Sequence, residues 1–407
     1  MSQDFDGKVQ PRPQLMLPIN PYTSDVKLPL CNAPDELEQS KLLISELMTN
    51  EVAAAKIEAF SIDSFCTSDR ESGCECSDLG PFVELIDRGG GYLKALKRVK
   101  CVLSHRSRSL VLIRRVRWRS ARGVHPPLLT SLEQHFPHLE LSVDIPWGNP
   151  FGLRSSPLMH SLHVRLDPYQ LDTSKTSPLL THIQTQIMDS PNLVELSMKI
   201  GSMGCVISDV DPKFARLKRK RFPPLEKLTL EAFPLTVKNI DYWMKNMDWF
   251  QMGSLDFRDI DELPYFFSES MKLAGGLPQL KVLRMEIPWF EGAKDLREFE
   301  DPFLRFLDTP RDAPGLSEIA LAGSYHPYLQ RILDGHGTTL KKLKLHDPER
   351  DDSGPQREML SELELGDLGR RAPNLEEISV DINHTPNGSL VSSFARFRWS
   401  RMLRYCL

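Results

Sequence analysis

The feature that most constrains this chain is a repeat in which a proline is followed by three apolar positions at fixed offsets, Pro-x-Φ-x-x-Φ-x-Φ with Φ apolar. Clear copies are PNLVELSM at 191–198, PPLEKLTL at 223–230, PQLKVLRM at 278–285, PGLSEIAL at 314–321 and PNLEEISV at 373–380. Looser copies are IRRVRW at 113–118, FPHLEL at 136–141, MHSLHV at 159–164, MGSLDF at 252–257 and LKKLKL at 340–345. The first apolar positions of successive copies lie 23, 23, 34, 32, 27, 28, 36, 24 and 35 residues apart. A repeated unit of this size cannot bury its apolar face alone. It needs stacked neighbours to build one continuous core.

The residues between the apolar ones test the reading. In a strand, alternate side chains point to opposite faces. The residues flanking the apolar pairs should then face solvent. They include Arg115, Arg117 and Arg119 in the first copy, Arg165 in the third, and Glu195 and Lys199 in the fourth. Lys227 and Glu231 follow, then Asp256 and Arg258, Arg284 and Glu286, Glu318, Lys342 and Lys344, and finally Glu377 and Asp381. Of thirty such positions only Val282, Ala320 and Ala322 are apolar. The pattern predicts strands with one buried face. The segments before many strands have helical apolar spacing. Examples are Pro178–Met188, Val237–Trp249, Tyr328–Leu333 and Arg357–Arg371. A proline then ends the helix and biases the preceding residue to extended backbone. The expected fold class is α/β: an irregular leucine-rich-repeat solenoid, a curved parallel sheet with outer helices.

The Pro-Asn-Leu-x-x-Leu copies at 191–196 and 373–378, with the stretch from Val111 to Ile145, resemble the leucine-rich-repeat arrays of F-box proteins, especially the divergent fungal set. The resemblance covers about 80–407. It implies a concave binding surface that recruits a protein substrate or client, with a Skp-type adaptor and a cullin as further partners in a ubiquitin ligase. Two departures stand beside it. The regular repeat places Asn or Cys three residues after the third apolar position, and only Asn383 of the ten such positions here is Asn. No F-box ending in a Trp-Arg pair follows LPLCNAPDELEQSKLLISELM at 28–48.

Organisation follows composition. Residues 1–80 read as a leader with six prolines before residue 35, then short helices and an acidic linker at 61–80. The repeat array occupies 81–385, and the basic, aromatic segment 386–407 reads as a cap. The net charge of -4 argues against a nucleic-acid coat or a basic membrane binder. Seven scattered cysteines do not form a disulfide framework, no apolar run reaches membrane-spanning length, and the amino terminus lacks a secretory pattern. The expected setting is cytoplasmic or nuclear.

Sites of chemistry are weaker. Cys66, Cys74 and Cys76, with Cys101 and His105, lack the second close pair a zinc site uses. Lys213–Arg221 is the densest basic run, readable as an import signal or as a solvated loop. Gly89-Gly90-Gly91 is not followed by the Lys-Ser/Thr of a phosphate loop. No catalytic constellation, metal or cofactor is expected. The expected function is a non-catalytic protein-interaction adaptor, with substrate recognition for a cullin-type ubiquitin ligase as what the resemblance implies. The alternative is a leucine-rich-repeat scaffold with no ubiquitin coupling.

Overall fold

The computed structural model describes residues 25–29, 42, 45, 59–63, 98–102, 115–119, 124, 126–145, 152–167, 178–201, 221–233, 235–260, 262–273, 276–288, 293–308, 315–347 and 359–381. Thirteen strands form one sheet in which spatial order equals sequence order. They are β1 (Asp25–Pro29), β2 (Ala59–Asp63), β3 (Arg98–Val102), β4 (Arg115–Arg119), β5 (Glu140–Ile145), β6 (Met159–Leu166) and β7 (Glu195–Ile200). The series continues with β8 (Lys227–Glu231), β9 (Ser254–Arg258), β10 (Val282–Glu286), β11 (Glu318–Ala322), β12 (Lys342–His346) and β13 (Glu377–Val380). Every neighbouring pair is parallel. Seven described helices complete it: α1 (Pro126–His135), α2 (Pro178–Met188), α3 (Val237–Asn246), α4 (Leu263–Ser270), α5 (Ala293–Asp308), α6 (His326–His336) and α7 (Glu362–Arg371). A parallel sheet needs crossover connections, and sequential order without interleaving is the arrangement of a leucine-rich-repeat solenoid.

Each of the ten expected strand segments is a strand. The sheet also extends before residue 81. β1 and β2 lie within the stretch read as leader, helices and linker, and β3 precedes the first recognised copy. Their sequences, DVKLP, AFSID and RVKCV, carry strand-like alternation. Pro21 stands four residues before β1, as Pro191 does before β7, but Thr23 occupies the first apolar position, and β2 and β3 have no proline at that offset. The acidic linker beyond Asp63, the run Lys213–Lys220, the Gly89–Gly91 turn, Asn383 and the segment 386–407 lie outside the described residues.

Register explains the leucines. Trp118, Val143, Leu162, Leu196, Leu228, Leu255, Leu283, Ile319, Leu343 and Ile378 pair in succession from β4 to β13. All ten are buried. A second file, from Val164 through Met198, Leu230, Phe257, Met285, Leu321 and Leu345 to Val380, lies one step along each strand's buried side. Each such side chain contributes roughly 1.5–3 kcal/mol by leaving water.

The proline turn has a second use. The carbonyl just before each strand from β7 to β12 accepts two N–H groups from the next unit. Val194 O takes Glu226 and Lys227, and Glu226 O takes Gly253 and Ser254. Gly253, Lys281, Ser317 and Lys341 repeat this to the entry of β13. In the two Pro-Asn-Leu copies the amide adds a stitch. Asn192 Nδ2 donates to Pro157 O at 2.7 Å, and Asn374 Nδ2 to Thr338 O at 2.6 Å. The asparagine sits at the turn, ahead of the strand, instead of after it.

The β5–β6 connection has no described helix. Side chains hold it instead. Ser156 is buried and donates to Glu133 Oε1 of α1 at 2.6 Å, while its N–H donates to Ser190 Oγ beyond α2 at 3.3 Å. Pairing slips by one residue where Met159 meets β5, leaving His160 as the extra residue of a bulge. Further along, the helix layer is aromatic. Phe267 of α4 meets Phe299, Phe303 and Phe306 of α5 at 4.8–6.4 Å between ring centres, and Tyr328 of α6 closes on Phe303 at 5.0 Å.

Candidate interaction surface

Helices and leucines share one core, so the other face of the sheet carries the intervening residues. Alternation of half-buried or exposed with buried positions is regular in β5, β7, β8 and β10–β13. The residues expected on this face lie in three cross-strand rows set by register.

The first row runs Ser161, Glu195, Lys227, Ser254, Val282, Glu318, Lys342, Glu377. Ser161 Oγ donates to Glu195 Oε2 at 3.3 Å, and Lys227 Nζ stands 3.9 Å from the same carboxylate. Lys342 Nζ approaches Glu377 at 3.2 Å. The second row runs Ser197, Thr229, Asp256, Arg284, Ala320, Lys344, Ser379. Arg284 donates to Glu318 Oε1 through Nε at 2.8 Å, and its Nη1 lies 3.9 Å from Asp256. Lys344 Nζ is 3.9 Å from Glu377. The third row includes Arg165, Lys199, Glu231 and Arg258. Lys199 pairs with Glu231. Partial burial, then the cations Arg165 and Arg258, hold the Lys199 ammonium below its usual pKa. Glu286 ends β10 exposed to solvent.

Two of the expected contact residues do not present their charge. Asp256 is buried at the sheet floor, where Arg258 grips it through Nε and Nη2 at 2.9 and 2.8 Å. Asp381 is also buried. β13 ends at Val380, so alternation no longer governs the next residue. The Asp381 carboxylate turns back to accept the Asp347 N–H at 2.7 Å, and His346 Nδ1 lies 3.2 Å away. Sequence reasoning passed over His346 as a contact residue, though it alternates with Lys342 and Lys344 on β12. Arg115, Arg117 and Arg119 are placed by backbone register on β4, opposite Glu140, Ser142 and Asp144, and their side chains lie outside the described residues.

Elsewhere, an open cleft of about 600 Å³ lies on the helix side between α4 and α5, lined by both signs of charge from Arg297, Glu298, Asp301 and Arg305. Cys101 is placed by its backbone alone, and Cys66, Cys74, Cys76 and His105 lie outside the described residues. Among the described residues no helix is long and apolar enough to cross a membrane.

No family model matches the chain, and no curated protein sequence matches it. Solved structures show remote likeness, two of them as follows. A protein from Bacteroides fragilis is 11% identical, with 88% of this chain covering 75% of that one at a TM-score of 0.30. TLR13, solved in complex with a single-stranded RNA, is 12% identical, with 82% of this chain covering 43% of that one at a TM-score of 0.36.

Proposed function

We propose that the chain is a non-catalytic interaction scaffold that docks a protein partner on the open face of its sheet. The observation that carries this reading is the continuity of that face. Polar side chains in register cross from β5 to β13, eight steps of about 4.8 Å, or nearly 40 Å. Strands of five residues make the strip about 16 Å wide, giving roughly 600 Å² before side chains add relief. That approaches the ~800 Å² each partner contributes to a standard interface. The core does not dictate these residues, so their identity is available for recognition.

Coupling to a ubiquitin ligase rests on the sequence resemblance alone, and the absence of an F-box ending favours a scaffold without it. The full chain incubated with a Skp-type adaptor separates the two, since no association sinks the ligase version. The docking face is tested with Ala320→Trp, which raises an indole in the middle row between Arg284 and Lys344. Gln330→Trp, exposed on α6, serves as control. A partner captured by the wild type and by Gln330→Trp should be lost with Ala320→Trp. Capture unaffected by Ala320→Trp overturns the reading.

A further inference from the structure

On the open face, cations and carboxylates pair almost one for one, yet they are not equally accessible. Lys227, Arg258, Arg284, Lys342, Lys344 and His346 keep 42–57% of their side chains exposed, whereas the carboxylates they pair with, Glu195, Asp256, Glu318, Glu377 and Asp381, keep 2–33%. The acids are short and hydrogen-bonded at the floor of the sheet. The bases lie over them with their heads in water. Lys199 and Glu231 are about equally covered, and Glu286 at the end of β10 and Asp259 just beyond β9 are exposed acids of this region.

We propose that the strip from β8 to β12 binds an acidic segment of a partner protein, an inference that rests on the docking role of the open face. An approaching surface meets guanidinium, ammonium and imidazole groups first. Charge-assisted bonds to carboxylates are the strong form such groups make. A notch marks where the segment comes nearest the backbone. Ala320 and Ala322 stand on β11 between Arg284 of β10 and Lys344 and His346 of β12. Four strand steps span about 19 Å, the length of roughly six extended residues. Nucleic acid fits less well. The covered carboxylates leave the strip close to neutral, so it lacks the long-range field a polyphosphate responds to. The middle row from Ser197 to Ser379 also has no aromatic ring on which bases could stack.

The test uses the full chain and a fluorescein-labelled twelve-residue peptide alternating Glu and Ser, with a Gln–Ser peptide and a twelve-nucleotide single-stranded RNA as competitors. Fluorescence anisotropy should show the Glu peptide bound at least tenfold more tightly than the Gln peptide, and weakened tenfold or more by half-molar salt. Lys342→Gln with Lys344→Gln should remove most of that preference without moving the melting temperature, and Arg284→Gln should reduce it independently. Equal binding of the Glu and Gln peptides, tighter binding of RNA, or indifference to all three substitutions overturns the inference. A captured partner lost with Ala320→Trp but retained by the glutamine variants and in high salt also overturns it, while leaving the docking face intact. Capture indifferent to Ala320→Trp removes the docking face itself.

Discussion

The two faces of the same strands obey different rules. On the buried face, Leu228, Leu255, Leu283, Ile319, Leu343 and Ile378 stack at the same register position, and only the branch point of the side chain changes. On the open face, the neighbours one residue later are Thr229, Asp256, Arg284, Ala320, Lys344 and Ser379. Packing density fixes the first set, because a close-packed interior registers every methylene. Nothing comparable fixes the second, where exposed ion pairs are each worth about 0–1 kcal/mol. Stability therefore resides on one face, and the packing leaves the identities on the other free to vary.

The largest break in this comparison comes from one truncation on each face. Leu283→Ala leaves a cavity at a fully buried position and should cost about 2–5 kcal/mol. Thr229→Ala, on the open face, should stay within about 0.5 kcal/mol of the wild type. Urea denaturation of the two variants checks it, and equal losses would show that the open face also holds the fold. Asp381→Ala sharpens the same contrast. It deprives the buried Asp347 N–H of its acceptor and should cost roughly 1–3 kcal/mol, while Ser379→Ala, two residues earlier, should cost little. A loss for Asp381→Ala no larger than for Ser379→Ala would mean that the bond from the Asp347 N–H adds nothing to the fold.

This last pair shows where alternation stops being informative. Period two is legible wherever the backbone stays extended, which is why the strands from β4 to β13 could be read from sequence. It gives no sign that β13 ends at Val380, or that the next carboxylate, Asp381, turns back to the Asp347 N–H and is buried. Asp256 does sit in the open-face row. What hides it is Arg258 and Arg284 folding over it, a tertiary event invisible to spacing. β1 to β3 were missed for the opposite reason. They alternate, but the full repeat pattern is broken: Thr23 stands at the first apolar position after Pro21, and β2 and β3 have no proline at that offset. Helix α5 carries Pro302, a residue whose type argues against helix yet stands inside this one. The charges of the open face were legible one by one, since each lies beside the buried apolar positions. Which of them stand proud of the sheet was not, because exposure depends on the partner across the next rung.

The smallest expected effect extends the comparison to the helix layer, where a charge serves the fold directly. Ser361 and Glu364 form a capping box at the start of α7: the Ser361 N–H and hydroxyl donate to Glu364 Oε2 at 2.8 and 2.7 Å, and the Glu364 N–H returns to Ser361 Oγ at 3.3 Å. His326 Nδ1 of α6 stands 3.4 Å from the same carboxylate. Partial burial works to raise the Glu364 pKa, but the bonds from Ser361 and the nearby His326 outweigh it and hold the carboxyl below its usual 4.5. A carboxyl depressed in the fold stabilises it above the unfolded value and loses that contribution as pH falls through the folded value. Glu364→Gln keeps the capping geometry and removes the titration. At neutral pH the variant should be less stable by no more than about 1 kcal/mol, given the partial exposure of the site. That gap should close as the solution is acidified from the unfolded carboxyl pKa through the lower folded value. Thermal melts of both proteins across this range read the difference. A gap that stays constant would mean that the capping box holds α7 through shape alone, with no contribution from charge.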